Sequence, residues 1–275
     1  MNYSINHKTI YTYFEPVSVC HNVLRLVPRN TGRQVCKAVR VKIQPEPDTL
    51  REYEDFFGNK VIYFSIEKEH GQLTVNVHSE IGKTEKQDLP EERQEAGDIG
   101  QFIFETPMTA ISDEIAAYAR ISFQDGRPVL EATTDLMRRI YKDFGFTPGF
   151  TTISTPLAVV MRERKGVCQD FAHLAIACVR SAGLPARYVS GYIETIPPPG
   201  IEKLIGADAS HAWFSVYIPE LGWMDFDPTN NVLPGDQHIT IGWGRDYADI
   251  APMKGILFSS GSHELSVSVD VKRVV

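Results

Sequence analysis

The chain changes its hydrophobic period once, and that change divides it into a β unit followed by a mixed one. Up to residue 83 the period is two. Tyr3, Ile5, His7 and Thr9 alternate with Asn6 and Lys8, and Ile10-Tyr11-Thr12-Tyr13 adds β-branched and aromatic residues. Further strand-like runs cover 17–27, 35–43, 60–66 and 73–77. Turn chemistry separates them at Pro28-Arg29-Asn30-Thr31-Gly32, Pro45-Glu46-Pro47-Asp48, Gly58-Asn59 and His70-Gly71. Many short strands with regular turns predict an antiparallel sandwich or barrel. Residues 84–99 are charged and poor in β-branched residues, so they read as a linker, with units at 1–90 and 91–275. Beyond it the period lengthens to that of a helix. Ser112-Asp113-Glu114 opens a run with Ile115, Tyr118 and Ala119. Pro128 precedes a longer one with Leu130, Leu136, Met137, Ile140, Tyr141 and Phe144, which Gly145 and Pro148 end. Pro197-Pro198-Pro199-Gly200 reads as a stiff loop, and Glu91-Glu92-Arg93-Gln94-Glu95 as a solvated segment.

Hydrophobic residues make up 43% of the 275 and charged residues 23%, enough apolar material for a core in each half. The formal charge is −7, which argues against a nucleic-acid partner, and no polybasic segment suits an anionic membrane surface. No apolar run approaches the ~18 residues of a membrane span. The N-terminal MNYSINHKTIYTYF lacks the apolar stretch of a secretory signal, so the cytoplasm is the expected compartment. The four cysteines, Cys20, Cys36, Cys168 and Cys178, form no CxxC pair, so neither a zinc ribbon nor a disulfide scaffold is expected.

One of those cysteines opens a helix. In 166–185, Phe171, Leu174, Ala175, Cys178, Val179 and Ala182 fall on a single apolar stripe. Gly183 and Pro185 give a left-handed cap and a stop. Gly166 breaks the chain upstream, so the helix begins near Cys168. A thiol in the first turn faces unpaired backbone N–H groups and the positive end of the helix dipole, and both favour the nucleophilic thiolate. Cys178 lies on the buried stripe, and Cys20 and Cys36 read as core or edge thiols of strands. His173 points well away from Cys168 around the helix. His70, His78, His238 and His263 are scattered in strand or loop contexts, where solvated or locally bonded imidazoles are expected.

A nucleophilic cysteine needs a base, and the base needs an orienting group. Residues 211–218 alternate as a half-buried strand, with His211, Trp213, Ser215 and Tyr217 on one side. Residues 219–222 turn the chain, and 223–227 form a second strand that Pro228 stops. In an antiparallel pair, opposed residue numbers have a constant sum. A sum of 438 puts Asp227 opposite His211, and a sum of 440 makes them diagonal neighbours. Asp225 is one step further in either register, so Asp227 is the better orienter.

The runs Gly166-Val167-Cys168-Gln169-Asp170-Phe171-Ala172, Gly183-Leu184-Pro185-Ala186-Arg187-Tyr188-Val189-Ser190-Gly191-Tyr192, His211-Ala212-Trp213 and Asp227-Pro228-Thr229 resemble the core of the bacterial transglutaminase-like proteins, members of the papain-like superfamily of thiol enzymes. The first ~85 residues resemble the β-rich region that often precedes this core, in Tyr3…His7-Lys8-Thr9…Tyr13, in Leu24-Arg25-Leu26-Val27-Pro28-Arg29 and in Asp55…Gly58-Asn59. Gly244-Arg245-Asp246-Tyr247-Ala248-Asp249 is similar too. The resemblance implies an α+β fold: a papain-like core of helices on an antiparallel sheet, preceded by an all-β sandwich. It implies Cys168 as nucleophile, His211 as base and Asp227 as orienter, with Gln169 and Trp213 as candidate substrate-binding residues. Two departures bear on activity. Animal transglutaminases carry Trp directly after the nucleophile, where this chain has Gln169, and they use an upstream Trp for the oxyanion, whereas Trp213, Trp223 and Trp243 all follow Cys168.

The implied chemistry is acyl transfer from an amide of a peptide or protein through a thioester, with no cofactor or metal required. Hydrolysis is the leading expectation. The alternatives are a transglutaminase making new amide bonds with an amine acceptor, and a non-catalytic module that binds a peptide or partner on the same fold.

Overall fold

The structure is a computed structural model and describes residues 1–84, 99–195, 210–219, 221–259 and 261–274. Most of the expected linker, the 91–95 charge run and the 197–200 loop lie outside the described residues. The first unit holds β1 (Asn2–Val17), β2 (Val19–Leu24), β3 (Gln34–Gln44), β4 (Thr49–Glu54), β5 (Lys60–Ile66) and β6 (His70–Lys83). The second holds α1 (Asp113–Ser122), α2 (Val129–Asp143), β7 (Gly145–Phe146), α3 (Leu157–Glu163), β8 (Lys165–Gly166) and α4 (Cys168–Ser181). It continues with β9 (Ala186–Ile193), β10 (Ser210–Ile218), β11 (Gly222–Phe226), β12 (His238–Gly244) and α5 (Tyr247–Ile250). The chain ends in β13 (Met253–Phe258) and β14 (His263–Val274).

Two four-stranded sheets, ordered β14-β1-β6-β3 and β13-β2-β5-β4, enclose a shared core of Tyr3, Ile5, Leu24, Phe64, Leu73, Val75 and Val271. The sandwich expected from the alternation is present. Sheet membership nevertheless divides the chain differently from a single cut at residue 90. Strands β13 and β14 pair antiparallel with β2 and β1, so residues 253–274 complete the sandwich instead of the second unit. The physical reason is the length of β1: without β14, a sixteen-residue strand would present an open edge. Strand β4 carried no sequence signal, because none of its side chains is buried and no alternation marks it.

The second unit has a four-stranded sheet, β11-β10-β9-β12, with helices packed on it. Ala212, Phe214, Val216 and Ile218 of β10 join Leu174, Ala175, Cys178 and Val179 of α4 in one apolar cluster with Leu136, Met137 and Ile140 of α2. Ser112 caps α1 as its sequence suggests, its Oγ accepting from Ile115 N at 3.3 Å. Gly183, at φ +75°, ends α4, where Leu184 N donates to Val179 O at 3.3 Å. Buried Arg180 ties α4 to its surroundings, donating to the carbonyls of Phe102, Ala186 and Arg245 and to Thr109 Oγ1.

Strand β10 is not half-buried as its alternation suggests. Trp213 and Ser215 have no exposed surface, because the second face of the sheet lies against the sandwich side of the molecule. Arg187 packs on the rings of Trp223 (4.3 Å) and Trp243 (3.7 Å), and Arg29, from the first unit, packs on Trp243 at 3.4 Å. The outer edge of β12 is closed by side chains rather than by another strand. Gln34 Nε2 donates to Thr240 O (2.7 Å) while its Oε1 accepts from Thr240 N (3.0 Å). Asn59 does the same three residues further on, donating to Trp243 O (2.8 Å) and accepting from Trp243 N (3.0 Å). Arg29 N donates to Ile241 O between them, at 3.1 Å. The sandwich therefore satisfies the backbone of an edge strand in the second unit.

Candidate active site

Cys168 is the first residue of α4 and is partly exposed. Val167 precedes the helix in extended conformation and has no side-chain acceptor, so the helix start is held from the other direction: Asp170 Oδ2 accepts from Val167 N at 2.8 Å. The same oxygen accepts from Thr151 Oγ1 at 2.6 Å, which anchors the 147–155 loop beside the helix start. Burial raises the Asp170 carboxyl above its ordinary value, and these two bonds oppose the rise. Gly166 is required here, since a Cβ would meet the Asp170 side chain within 3 Å. The first helical bond is Phe171 N to Val167 O, at 3.1 Å. The backbone N–H of Cys168 thus lies in the unpaired first turn, the position from which it can meet a developing oxyanion.

The β10–β11 pair has a register sum of 440, with Phe214 opposite Phe226 and Ser215 opposite Asp225. Asp227 is the diagonal neighbour of His211, and His211 Nε2 lies 2.8 Å from Asp227 Oδ2. With Nε2 committed there, Nδ1 is the ring nitrogen left for the thiol. Burial lowers the His211 imidazole, but the bond from Asp227 and the interaction with Cys168 outweigh it and push it up to about 9. Asp225 is drawn elsewhere, accepting from Trp213 Nε1 at 3.1 Å.

Asp227 has no exposed surface, yet every side of its carboxylate is met by a donor. Oδ1 accepts from the backbone of Thr229 (2.9 Å) and Asn230 (3.2 Å). Oδ2 accepts from His211 Nε2, from Asn230 Nδ2 (2.7 Å) and from His238 Nε2 (2.9 Å). Burial opposes the charge, but these bonds overcome it and hold Asp227 well below the usual carboxylate range. Asn230 was not singled out by the sequence. Its signal was its place three residues after Asp227, where an amide folds back on a turn.

His238 is a correction. It is neither solvated nor locally bonded through its side chain, but buried on β12 against Asp227. Among the described residues, His211, Asp227 and His238 offer three ligand-type atoms within 4.8 Å of one another. Both nitrogens sit at hydrogen-bond distance from one carboxylate oxygen, so the cluster is built as a hydrogen-bonded network. Trp213 is corrected too. It has no exposed surface, lies 5.9 Å from His211 and meets His238 edge-on at 5.3 Å, so it braces the imidazoles from behind and presents nothing to a substrate. Gln169 is partly buried beside Cys168. Cys178 is fully buried, which pushes its thiol up to about 12. His173 accepts from Tyr247 N at 3.1 Å and is buried away from the thiol.

Fold and site together define a mixed α+β protein with a cysteine at a helix start and a buried His–Asp pair on the adjoining sheet. Comparison with known proteins places it more narrowly. Residues 3–82 match the bacterial transglutaminase-like N-terminal region, and residues 116–228 match the transglutaminase-like superfamily. An uncharacterized protein of Mycobacterium tuberculosis is 40% identical over 288 residues, covering 98% of this chain and 92% of its own. A protein-glutamine gamma-glutamyltransferase of Pseudomonas aeruginosa is 39% identical over 72 residues, 26% of this chain and 11% of that one. The fold is shared with a candidate cysteine protease from Cytophaga hutchinsonii (TM-score 0.78, 23% identity, covering 100% of this chain and 92% of that chain). The chain belongs to the transglutaminase-like superfamily, with the bacterial N-terminal region ahead of the core.

Proposed function

We propose that this protein is a cysteine-dependent acyl-transfer enzyme acting on amide bonds of peptides or proteins, with hydrolysis as its main outcome. The observation that carries the reading is the buried His211–Asp227 bond of 2.8 Å, which occupies Nε2 and leaves Nδ1 of the imidazole free for the Cys168 thiol. In this reading His211 Nδ1 takes the proton from Cys168 Sγ, and the thiolate adds to the amide carbonyl. The oxyanion is met by the Cys168 backbone N–H, a type of contact worth about 3–4 kcal/mol. As the C–N bond breaks, His211 returns the proton to the leaving amine. Water, deprotonated by His211, then cleaves the thioester and regenerates the thiol. Gln169, next to the nucleophile and partly exposed, is the candidate for a substrate contact.

Hydrolysis is preferred over amine transfer because Gln169 stands where animal transglutaminases carry Trp. The test is turnover of a library of glutamine-, asparagine- and isopeptide-containing peptides, with and without added primary amine. The products are identified by mass, and Cys168→Ala serves as the control. Wild-type hydrolysis that disappears in Cys168→Ala supports the reading. Turnover that survives in Cys168→Ala overturns it, and products carrying the added amine instead of water reassign it to transglutamination.

A further inference from the structure

We propose that His238 is a positioning residue for the Asp227–His211 pair, and that the N-terminal sandwich fixes its place through the edge of β12. The proposal deepens the cysteine-enzyme reading and rests on it.

Three sets of observations converge on His238. First, its side chain is buried and directed at the carboxylate that orients the base, with Nε2 2.9 Å from Asp227 Oδ2. The acceptor is a carboxylate oxygen, so Nε2 is the protonated nitrogen. Nδ1 makes no hydrogen bond among the described residues, so nothing competes for that proton. Second, the ring is wedged. Trp213 meets it edge-on at 5.3 Å, and Gly191 on the neighbouring strand leaves the space, since a Cβ there would strike both Ile239 O and the Trp213 ring. Third, its backbone is held from the other unit. Lys83 Nζ, at the end of β6, donates to His238 O at 2.6 Å. Gln34, Arg29 and Asn59 then bond the next stretch of β12 at Thr240, Ile241 and Trp243.

These contacts form one continuous path from the sandwich to the base. Oδ2 of Asp227 carries His211 and His238 together, with ring centroids 5.9 Å apart. Rotating the carboxylate to release one imidazole breaks the bond to the other. His238 thus keeps Oδ2 facing His211 and favours the charged form of Asp227. The titratable groups that act on the pair from other elements are Cys168 on α4 and His238 on β12, while Asp225 on β11 bonds Trp213 and Lys83 on β6 bonds the His238 carbonyl. Of these, only His238 donates to the carboxylate without being the base.

The test follows the rate of iodoacetamide alkylation at Cys168 against pH, by peptide mass mapping on the full chain. It compares wild type, His238→Leu, His238→Gln, Lys83→Met and His211→Ala, each checked for thermal unfolding. Losing a donor to Asp227 moves its protonation to higher pH. His238→Leu is therefore expected to lose Cys168 reactivity at a higher pH on the acid side and to react about tenfold more slowly near neutrality, the size of one hydrogen bond to a charged group. His238→Gln, whose amide nitrogen reaches the same place as Nε2, is expected to recover most of the profile, which a merely structural role would not predict. Lys83→Met, which leaves the imidazole itself intact, is expected to shift the profile in the same direction by less. A wild-type profile in His238→Leu overturns the positioning role, and one in Lys83→Met overturns the part assigned to the sandwich. If His238→Leu does not fold, the Gln and Met variants decide the matter on the same criteria. The failure of the underlying reading has a different signature: wild-type Cys168 would react no faster than Cys36, and His211→Ala would change nothing.

Discussion

His211 Nε2 donates to Asp227 Oδ2 across 2.8 Å in a site where the carboxylate has no exposed surface. The bond occupies Nε2 and leaves Nδ1 as the imidazole nitrogen that does not face the carboxylate. Asp227→Asn keeps the volume but brings an amide against three side-chain donors. Set in place of Oδ2, its N–H₂ group meets His211 and His238 together and drives His211 to the other tautomer; set in place of Oδ1, it meets the backbone N–H groups of Thr229 and Asn230. Turnover of an amide substrate is expected to fall by about 10³–10⁴-fold, the scale seen when a triad carboxylate becomes an amide. Thermal unfolding should show a folded variant. An Asn variant within tenfold of wild type in kcat/KM would remove Asp227 from the mechanism.

The same pair makes a prediction about stability against pH. Burial works against both charges, but the net result is His211 raised from 6.5 to about 9 and Asp227 lowered from 3.8. A raised histidine contributes stability that is complete below its unfolded value and is lost as pH climbs through its folded one. A depressed carboxylate contributes above its unfolded value and is lost as pH falls. The stabilisation from the pair is therefore fullest between about pH 4 and 6.5, and it fades on approach to pH 9–10. Urea unfolding of wild type and Asp227→Asn at pH 5.5, 8 and 10 checks this. The gap in unfolding free energy should be widest at 5.5 and narrowest at 10, and a gap that grows with pH would contradict the assignment of charge.

Gly191 is a single point at which the site is sensitive to one methyl group. It pairs with His211 on one side and Thr240 on the other, and a Cβ there meets the backbone oxygen of Ile239 as well as the indole of Trp213. Neither has a flexible end that can move aside. Gly191→Ala is expected to cost about 3 kcal/mol in denaturant unfolding, the upper end for an overpacked core, and to displace Trp213 from behind the two imidazoles. Loss of Cys168 reactivity should accompany it. A neutral Gly191→Ala would mean that β9 and β12 separate more easily than their bonding suggests.

The parts of this site that were legible in sequence are those built from local patterns. The apolar stripe from Phe171 to Ala182 placed Cys168 in a first turn, Gly183 marked the end of the helix, and the hairpin arithmetic allowed two registers that both brought Asp227 near His211. What was missed is held by long-range contact. His238 is joined to Asp227 because β9 lies between β10 and β12, an order no spacing along the chain reveals. The alternation of β10 suggested a wet face, but the sandwich-side residues Arg29 and Asn59 and the Trp–Arg packing cover that side of the sheet. Strands β13 and β14 read as the end of the second unit, because pairing with β2 and β1 leaves no mark in their own residues.

That pairing leads to the last prediction, that the second unit does not fold without the first. A fragment beginning at residue 99 keeps α1 to α5 and β7 to β14 but loses every partner of β13 and β14. It also uncovers the edge of β12, where Thr240 and Trp243 each exchange two bonds with Gln34 and Asn59. The buried apolar residues Tyr192, Ile239 and Ile241, which pack into the sandwich core, become exposed in the same step. Each uncovered polar group in a site that stays partly dry costs about 1–3 kcal/mol, so the edge alone is comparable to the margin of a typical domain. The fragment is expected to give no cooperative unfolding transition by circular dichroism. A graded version asks the same question within the intact chain. Gln34→Ala strips Thr240 N–H and C=O of their partners and is expected to destabilise by about 2–4 kcal/mol. Gln34→Glu, which sets a buried carboxylate oxygen against the carbonyls of Arg29 and Thr240, should cost at least as much as Gln34→Ala. A stable, cooperatively folding fragment, together with a neutral Gln34→Ala, would show instead that the sandwich is an appendage to an independent core.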